Sequence, residues 1–191
     1  MSLVPRPEPY PQPVIDRSVL SVPRRTLGRM TTDPQTLAWL DQEDAHLAQT
    51  IRAHRWAVQY VGAGDEPDEP AFGYTIGLFG LGHPELVLVG LGARTTHSIL
   101  GRVAGIVADG RNLVTGELLT WPDWTDLRLV VEELPNAGEV VLVANRFYER
   151  PVEYSVPAYQ LTWAFPDHCF PWEGSGPDET GAQPRPGTWR A

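Results

Sequence analysis

Phe72-Gly-Tyr-Thr-Ile-Gly-Leu-Phe-Gly-Leu-Gly-His-Pro-Glu-Leu-Val-Leu-Val-Gly-Leu91 is the stretch that decides how this chain folds. In its first half Phe72, Tyr74, Ile76 and Leu78 alternate with Gly73, Thr75 and Gly77, the period-2 pattern of a strand with one bulky face. The second half, residues 86–91, is a continuous apolar run, as expected of a strand buried on both faces. Between the two, Gly80, Gly82 and Pro84 supply turn chemistry, and the turn presents His83 and Glu85.

Upstream, Asp33-Pro34 places an N-cap acid before a proline at the first helical position, predicting a helix that ends near His54-Arg55. Leu37, Leu40, Leu47 and Ile51 form its apolar stripe, broken only by Asp44. Residues 56–61 then alternate as a strand. Downstream, Ile99, Leu100, Val103, Ile106 and Val107 mark a helix over 95–108, with Gly110 placed to end it. Gly101 and Gly105 predict a close approach of that helix to the sheet. Trp121-Pro-Asp-Trp124 reads as a loop before a strand at 127–134. Asn136 with Glu139 has capping-box spacing and predicts a helix over 137–149, although residues 140–143 also suit a strand. A last strand covers 157–165. This order predicts an α+β domain, with a mostly antiparallel sheet of five to six strands packed with two to three helices.

Three regions follow: a Pro/Arg-rich extended arm over 1–30, a globular body over 31–173, and a disordered C-terminal tail over 174–191. The arm carries six prolines and five arginines, and Met30 at its end is an alternative start. Its charge balance is +3, whereas the remainder carries −12 within a net −9. So acidic a body is a poor nucleic-acid binder, because phosphate contacts need a cationic face. The arm is suited to dock on a partner or on another copy of the chain. All 15 basic residues are arginine, which excludes Schiff-base lysine chemistry and the P-loop lysine. No apolar run reaches the roughly 20 residues of a membrane span. A single cysteine, Cys169, cannot form an internal disulfide. A soluble, cytoplasmic protein is expected.

Three motifs together resemble the bacterial and phage family called domain of unknown function 4262. They are His54-Arg-Trp56, the central Phe72–Leu78 strand with Gly82-His-Pro-Glu-Leu86, and Gln160-Leu-Thr-Trp163 followed by Phe170-Pro-Trp-Glu173. The resemblance spans about residues 37–173 and implies a grouping, with no activity attached to it.

His83 and Glu85 are the candidate catalytic pair, as general base and orienter, and with Asp167 they are the candidate metal ligands. The plainer alternative has His83 hydrogen-bonding a turn carbonyl and Glu85 opening a strand. Completing a metal site requires the 165–173 segment to fold over the turn. Gly73, Thr75, Gly77, Trp163 and Trp172 are the candidate ligand-binding residues, because glycine inside a strand marks close approach and tryptophan lines apolar pockets. The glycine spacing is not that of a dinucleotide-binding loop. No pair reaches the specificity of a known catalytic motif. The expected function is therefore a ligand-binding or protein-interaction module, with its cofactor, if any, unknown. The alternatives are a metal-assisted hydrolase using His83, Glu85 and Asp167, and a flavin-type cofactor binder.

Overall fold

A computed structural model describes residues 34–66, 69–164, 169–173 and 183–191. The elements are α1 (Pro34–His54), β1 (Ala57–Val61), β2 (Phe72–Ile76), β3 (Glu85–Val89), α2 (Ala93–Ala108), β4 (Leu118–Trp121), β5 (Trp124–Glu133), α3 (Ala137–Val140), α4 (Leu142–Phe147) and β6 (Ala158–Ala164). Single 3-10 turns stand at Phe79–Leu81 and Val152–Tyr154. Among the described residues no helix is long and apolar enough to cross a membrane.

The strands form one sheet in the order β1-β2-β3-β6-β5-β4. The fold is α+β as expected, but the sheet is mixed: β3 and β6 run parallel, while every other pair is antiparallel. The chain leaves β3, crosses one face as α2, builds the far hairpin and re-enters beside β3, and so brings β6 in parallel. Period-2 patterning sets a strand's faces and carries no information about its partner's direction. Among the described residues four helices replace the expected two to three, because the helix predicted over 137–149 is broken. Val141, at φ −89° and ψ 51°, separates the four-residue α3 from α4. Asn136 makes no side-chain cap there, and its amide donates instead to the Trp189 carbonyl at 2.9 Å.

The Trp121-Pro-Asp-Trp124 loop proves to be the tight end of the β4–β5 hairpin, with Trp121 opposite Trp124. Arg102 of α2 holds it, making two hydrogen bonds to Asp123 at 2.8 and 2.6 Å while its guanidinium lies 4.7 Å from the Trp124 ring centroid.

Each face of the sheet buries its own core. Leu86, Leu88, Leu129 and Leu161 pack with Ile99, Leu100 and Val103 of α2 on one side. Phe72, Tyr74, Val87 and Val89 pack on the other with Leu47 of α1, Val140 of α3, Ala144 of α4 and Val141 between those two helices. β3 contributes to both cores, which accounts for its unbroken apolar sequence.

The tail expected to be disordered over 174–191 requires correction over 183–191. Trp189, only 2% exposed, is a member of the second core and packs against Phe72 with ring centroids 5.0 Å apart. A polar, Pro/Gly-rich composition hid the one large side chain that anchors this segment. Residues 174–182 lie outside the described set, as does the arm over 1–30.

Candidate functional site

The central turn is closed by its own side chains. β2 and β3 pair through Tyr74–Val87 and then part. Past that point the Thr75 hydroxyl takes over the ladder, accepting the Leu86 N–H at 2.8 Å and donating to Glu85 Oε2 at 2.6 Å. The other carboxylate oxygen, Oε1, accepts the N–H of Gly77 at 2.8 Å and of Phe79 at 3.1 Å. Glu85 is 0% exposed. Burial pushes its carboxyl up to about 7, against the pull of the Thr75 hydroxyl and the backbone N–H groups of the turn. This group fastens the turn.

His83 is spent in the same way on different partners. Its Nδ1 lies 2.6 Å from the Pro84 carbonyl, and Nε2 accepts the Leu113 N–H at 3.2 Å. That pattern requires a neutral imidazole with its proton on Nδ1. Burial pushes its pKa below the ordinary value, partly offset by the bond to the Pro84 carbonyl. Its ring meets Tyr159 edge-on at 5.8 Å. Among the described residues His83 and Glu85 share no hydrogen bond, and no group of three His, Cys, Asp or Glu side chains is arranged to hold a metal ion. Asp167 lies outside the described residues.

The glycine face of β2 is covered from above. A Cβ on Gly73 would meet Thr96 Cγ2 of α2 at 2.6 Å. Gly77, at φ +131°, would set a Cβ 2.5 Å from the Arg55 carbonyl and 2.7 Å from Trp56 Cα. The close approaches predicted from these glycines are real, and α2 and the α1–β1 connection make them. Thus Thr75, Gly77 and Glu85 come together in one buried knot. Trp163 stands apart, with its indole N–H on the Val89 carbonyl at 2.8 Å and its ring against the α2-side core.

Trp172 is the candidate that faces open space, at 45% exposed. It stacks on Phe170 at 4.8 Å and 7°, while Arg128 lies 4.7 Å from the Phe170 ring and Arg185 4.7 Å from the Trp172 ring. Arg128 also pairs with Glu173, and Arg185 with Glu132. The described part of the 165–173 segment, residues 169–173, is thereby held to Arg128 and Arg185.

Trp172 and Arg185 wall a cavity of about 590 Å³ beside Val130, Glu132 and Pro186. An adjoining cavity of about 440 Å³, lined by Pro84, Val152, Glu153, Tyr154 and Tyr159, shares Thr115, Glu133 and Pro135 with the first. The two lie side by side at the end of the sheet where β3 and β6 begin and β5 ends, and together are called the groove. Val152 and Tyr154 stand on it at 60% and 70% exposed. Of the sequence candidates among the described residues only Trp172 lines this groove, with Pro84 and Tyr159 bringing the groove wall up to His83. Sequence reasoning misses Val152, Tyr154, Pro135 and Arg185. The available signal is a valine and a tyrosine standing between Pro151 and Pro157, in a stretch with no apolar period to bury them.

No curated protein and no solved structure matches the chain. A family model described as Domain of unknown function (DUF4262) matches residues 50–176, which include both strands of the central hairpin, the His83–Glu85 turn and Trp172. The chain belongs to the DUF4262 family.

Proposed function

We propose that the protein is a non-catalytic interaction module whose groove receives an extended peptide segment of a partner. The observation that carries this reading is the exposure of Val152, Tyr154 and Trp172 on two adjoining cavities. Apolar and aromatic side chains held open beside a concave surface favour a ligand that covers them. Glu132, Glu133 and Glu153 line the groove beside Arg185, an acidic balance that favours an apolar ligand with basic residues. Prolines at 84, 135, 157 and 186 keep the walls rigid, which suits an extended ligand over one that folds into the site.

The state of the central pair also favours binding over turnover. For catalysis His83 would have to surrender a backbone partner, and Glu85 would have to leave three donors in a site with no exposure.

The test is selection from a displayed library of extended peptides, the Pro/Arg-rich sequence 1–30 included, followed by titration against Trp172→Ala and Tyr154→Ala. Selected peptides should bind at micromolar Kd, and each variant should weaken them by roughly tenfold or more. Binding indifferent to both substitutions overturns the groove as the site. A turnover activity abolished by His83→Ala in a folded protein overturns the non-catalytic reading.

A further inference from the structure

Every residue of the run Val4-Pro-Arg-Pro-Glu-Pro-Tyr-Pro-Gln-Pro13 either is a proline or precedes one. Proline fixes its own φ and pushes the residue before it out of the helical region, so this sequence is restricted to extended or polyproline II backbone. Such a segment loses little conformational entropy on docking, and aromatic-lined grooves are the surfaces that recognise it.

The groove has that character. Tyr154 and Trp172 stand exposed on it, and Tyr159 lines it. Glu132 is paired with Arg185, but Glu133 and Glu153, both exposed, have no ion pair among the described residues. Arg6 within the run and Arg17 beyond it are cations suited to those two acids. The arm carries +3 and the remainder −12, so the body attracts the arm as a whole.

The run also lies within reach. β1 begins at the same end of the sheet as β3, because Ala57 pairs with Ile76 and Tyr74 with Val87. α1 delivers the chain to that end, and its 21 residues put Pro34 no more than about 32 Å from His54. Four strand spacings of ~4.8 Å, from β1 across to β5, add about 19 Å. Residues 14–33 span up to about 66 Å when extended, at ~3.3 Å per residue, which is more than the distance required.

Resting on the reading of the groove as a peptide site, we propose that residues 4–13 are its intramolecular occupant, so that a partner's segment binds only by displacing the chain's own arm. A tether of this length gives an effective concentration on the order of 1 mM, at which a segment with a Kd of about 0.1 mM fills the groove about 90% of the time and weakens a competitor roughly tenfold.

The experiment titrates a fluorophore-labelled synthetic peptide of residues 4–13 into the full chain and into a full-length arm variant carrying Pro7→Ala, Pro9→Ala, Tyr10→Ala and Pro11→Ala. The arm variant should bind the peptide roughly tenfold more tightly than the wild type, and adding Trp172→Ala should remove most of that binding. Equal affinity for wild type and arm variant overturns the intramolecular occupancy. If peptides selected from the displayed library bind the groove and the 4–13 peptide does not, this inference falls while the groove reading stands. If neither kind of peptide binds, both fall. A photoreactive benzoylphenylalanine in place of Tyr10 should cross-link to residues 152–154 or 172 of the same molecule. Cross-links elsewhere on the body, or products with the mass of two chains, overturn the proposal.

Discussion

The central turn and the groove are opposites in how they use polar and apolar groups. The turn, with its glycines, histidine and glutamate, has its hydrogen-bonding capacity filled by the protein's own groups: Glu85 takes three donors and His83 uses both nitrogens, one of them on Leu113. The groove, written in ordinary loop sequence, leaves Val152, Tyr154 and Trp172 exposed. Residue types that can do chemistry mark a site only when some of their capacity is left over. A buried carboxylate ringed by backbone N–H groups has little to offer a ligand, whereas an exposed aromatic beside a cavity does.

The largest effect should come from breaking the turn at its tightest point. Gly77→Ala adds a methyl that meets the Arg55 carbonyl and Trp56 at a φ of +131°, and should cost about 4 kcal/mol in denaturant unfolding. Gly82→Ala, at φ +82° with open space around its Cβ, should cost only about 1 kcal/mol. Equal costs would mean that steric closure is not what defines the turn.

Next comes the pH dependence of Glu85. Its carboxyl has an ordinary value of 4.5 and rises to about 7 in the fold. Between those values the folded protein holds a proton that the unfolded chain has released, so Glu85 makes stability fall as pH rises from 4.5 to 7. Its contribution, present below 4.5, should shrink by about 3 kcal/mol across that window. His83 acts with the opposite sign, since its lowered pKa removes stability as pH falls below its ordinary 6.5. The difference between wild type and Glu85→Gln in urea midpoints from pH 4.5 to 8 isolates the carboxyl. If the Glu85→Gln variant kept the wild-type slope, the carboxylate would not be held as described.

On the groove side, Trp172→Ala removes a stacked ring and a cation–π contact and should cost about 1 kcal/mol of stability while abolishing most peptide binding. Tyr154→Ala should be the mildest to the fold, within about 0.5 kcal/mol, yet should weaken binding as well. A large stability loss from Tyr154→Ala would make the groove structural and erase the contrast with the turn.

The hairpin of β2 and β3, α1, α2 and the close approaches at Gly73 and Gly77 were legible because periodicity and glycine placement act locally, through sterics a short stretch carries with it. The direction of β6 and the break at Val141 were not, since each depends on a neighbour brought from far along the chain. The site followed the same division. His83, Glu85 and Trp172 were visible as residue types, but whether each is consumed or left open depended on Leu113, Gly77 and Arg185, at 30, 8 and 13 residues' distance.

The sequence by itself determined the α+β class, the doubly buried strand and the glycine-rich turn, because backbone sterics and hydrophobic period are properties of adjacent residues. Only the tertiary structure decided that Trp189 completes a core and that the polar groups of the turn all find partners within the protein, Leu113 among them. Hydrogen-bond satisfaction and burial depend on which distant atoms end up within a few ångströms, and that is settled only when the whole chain packs.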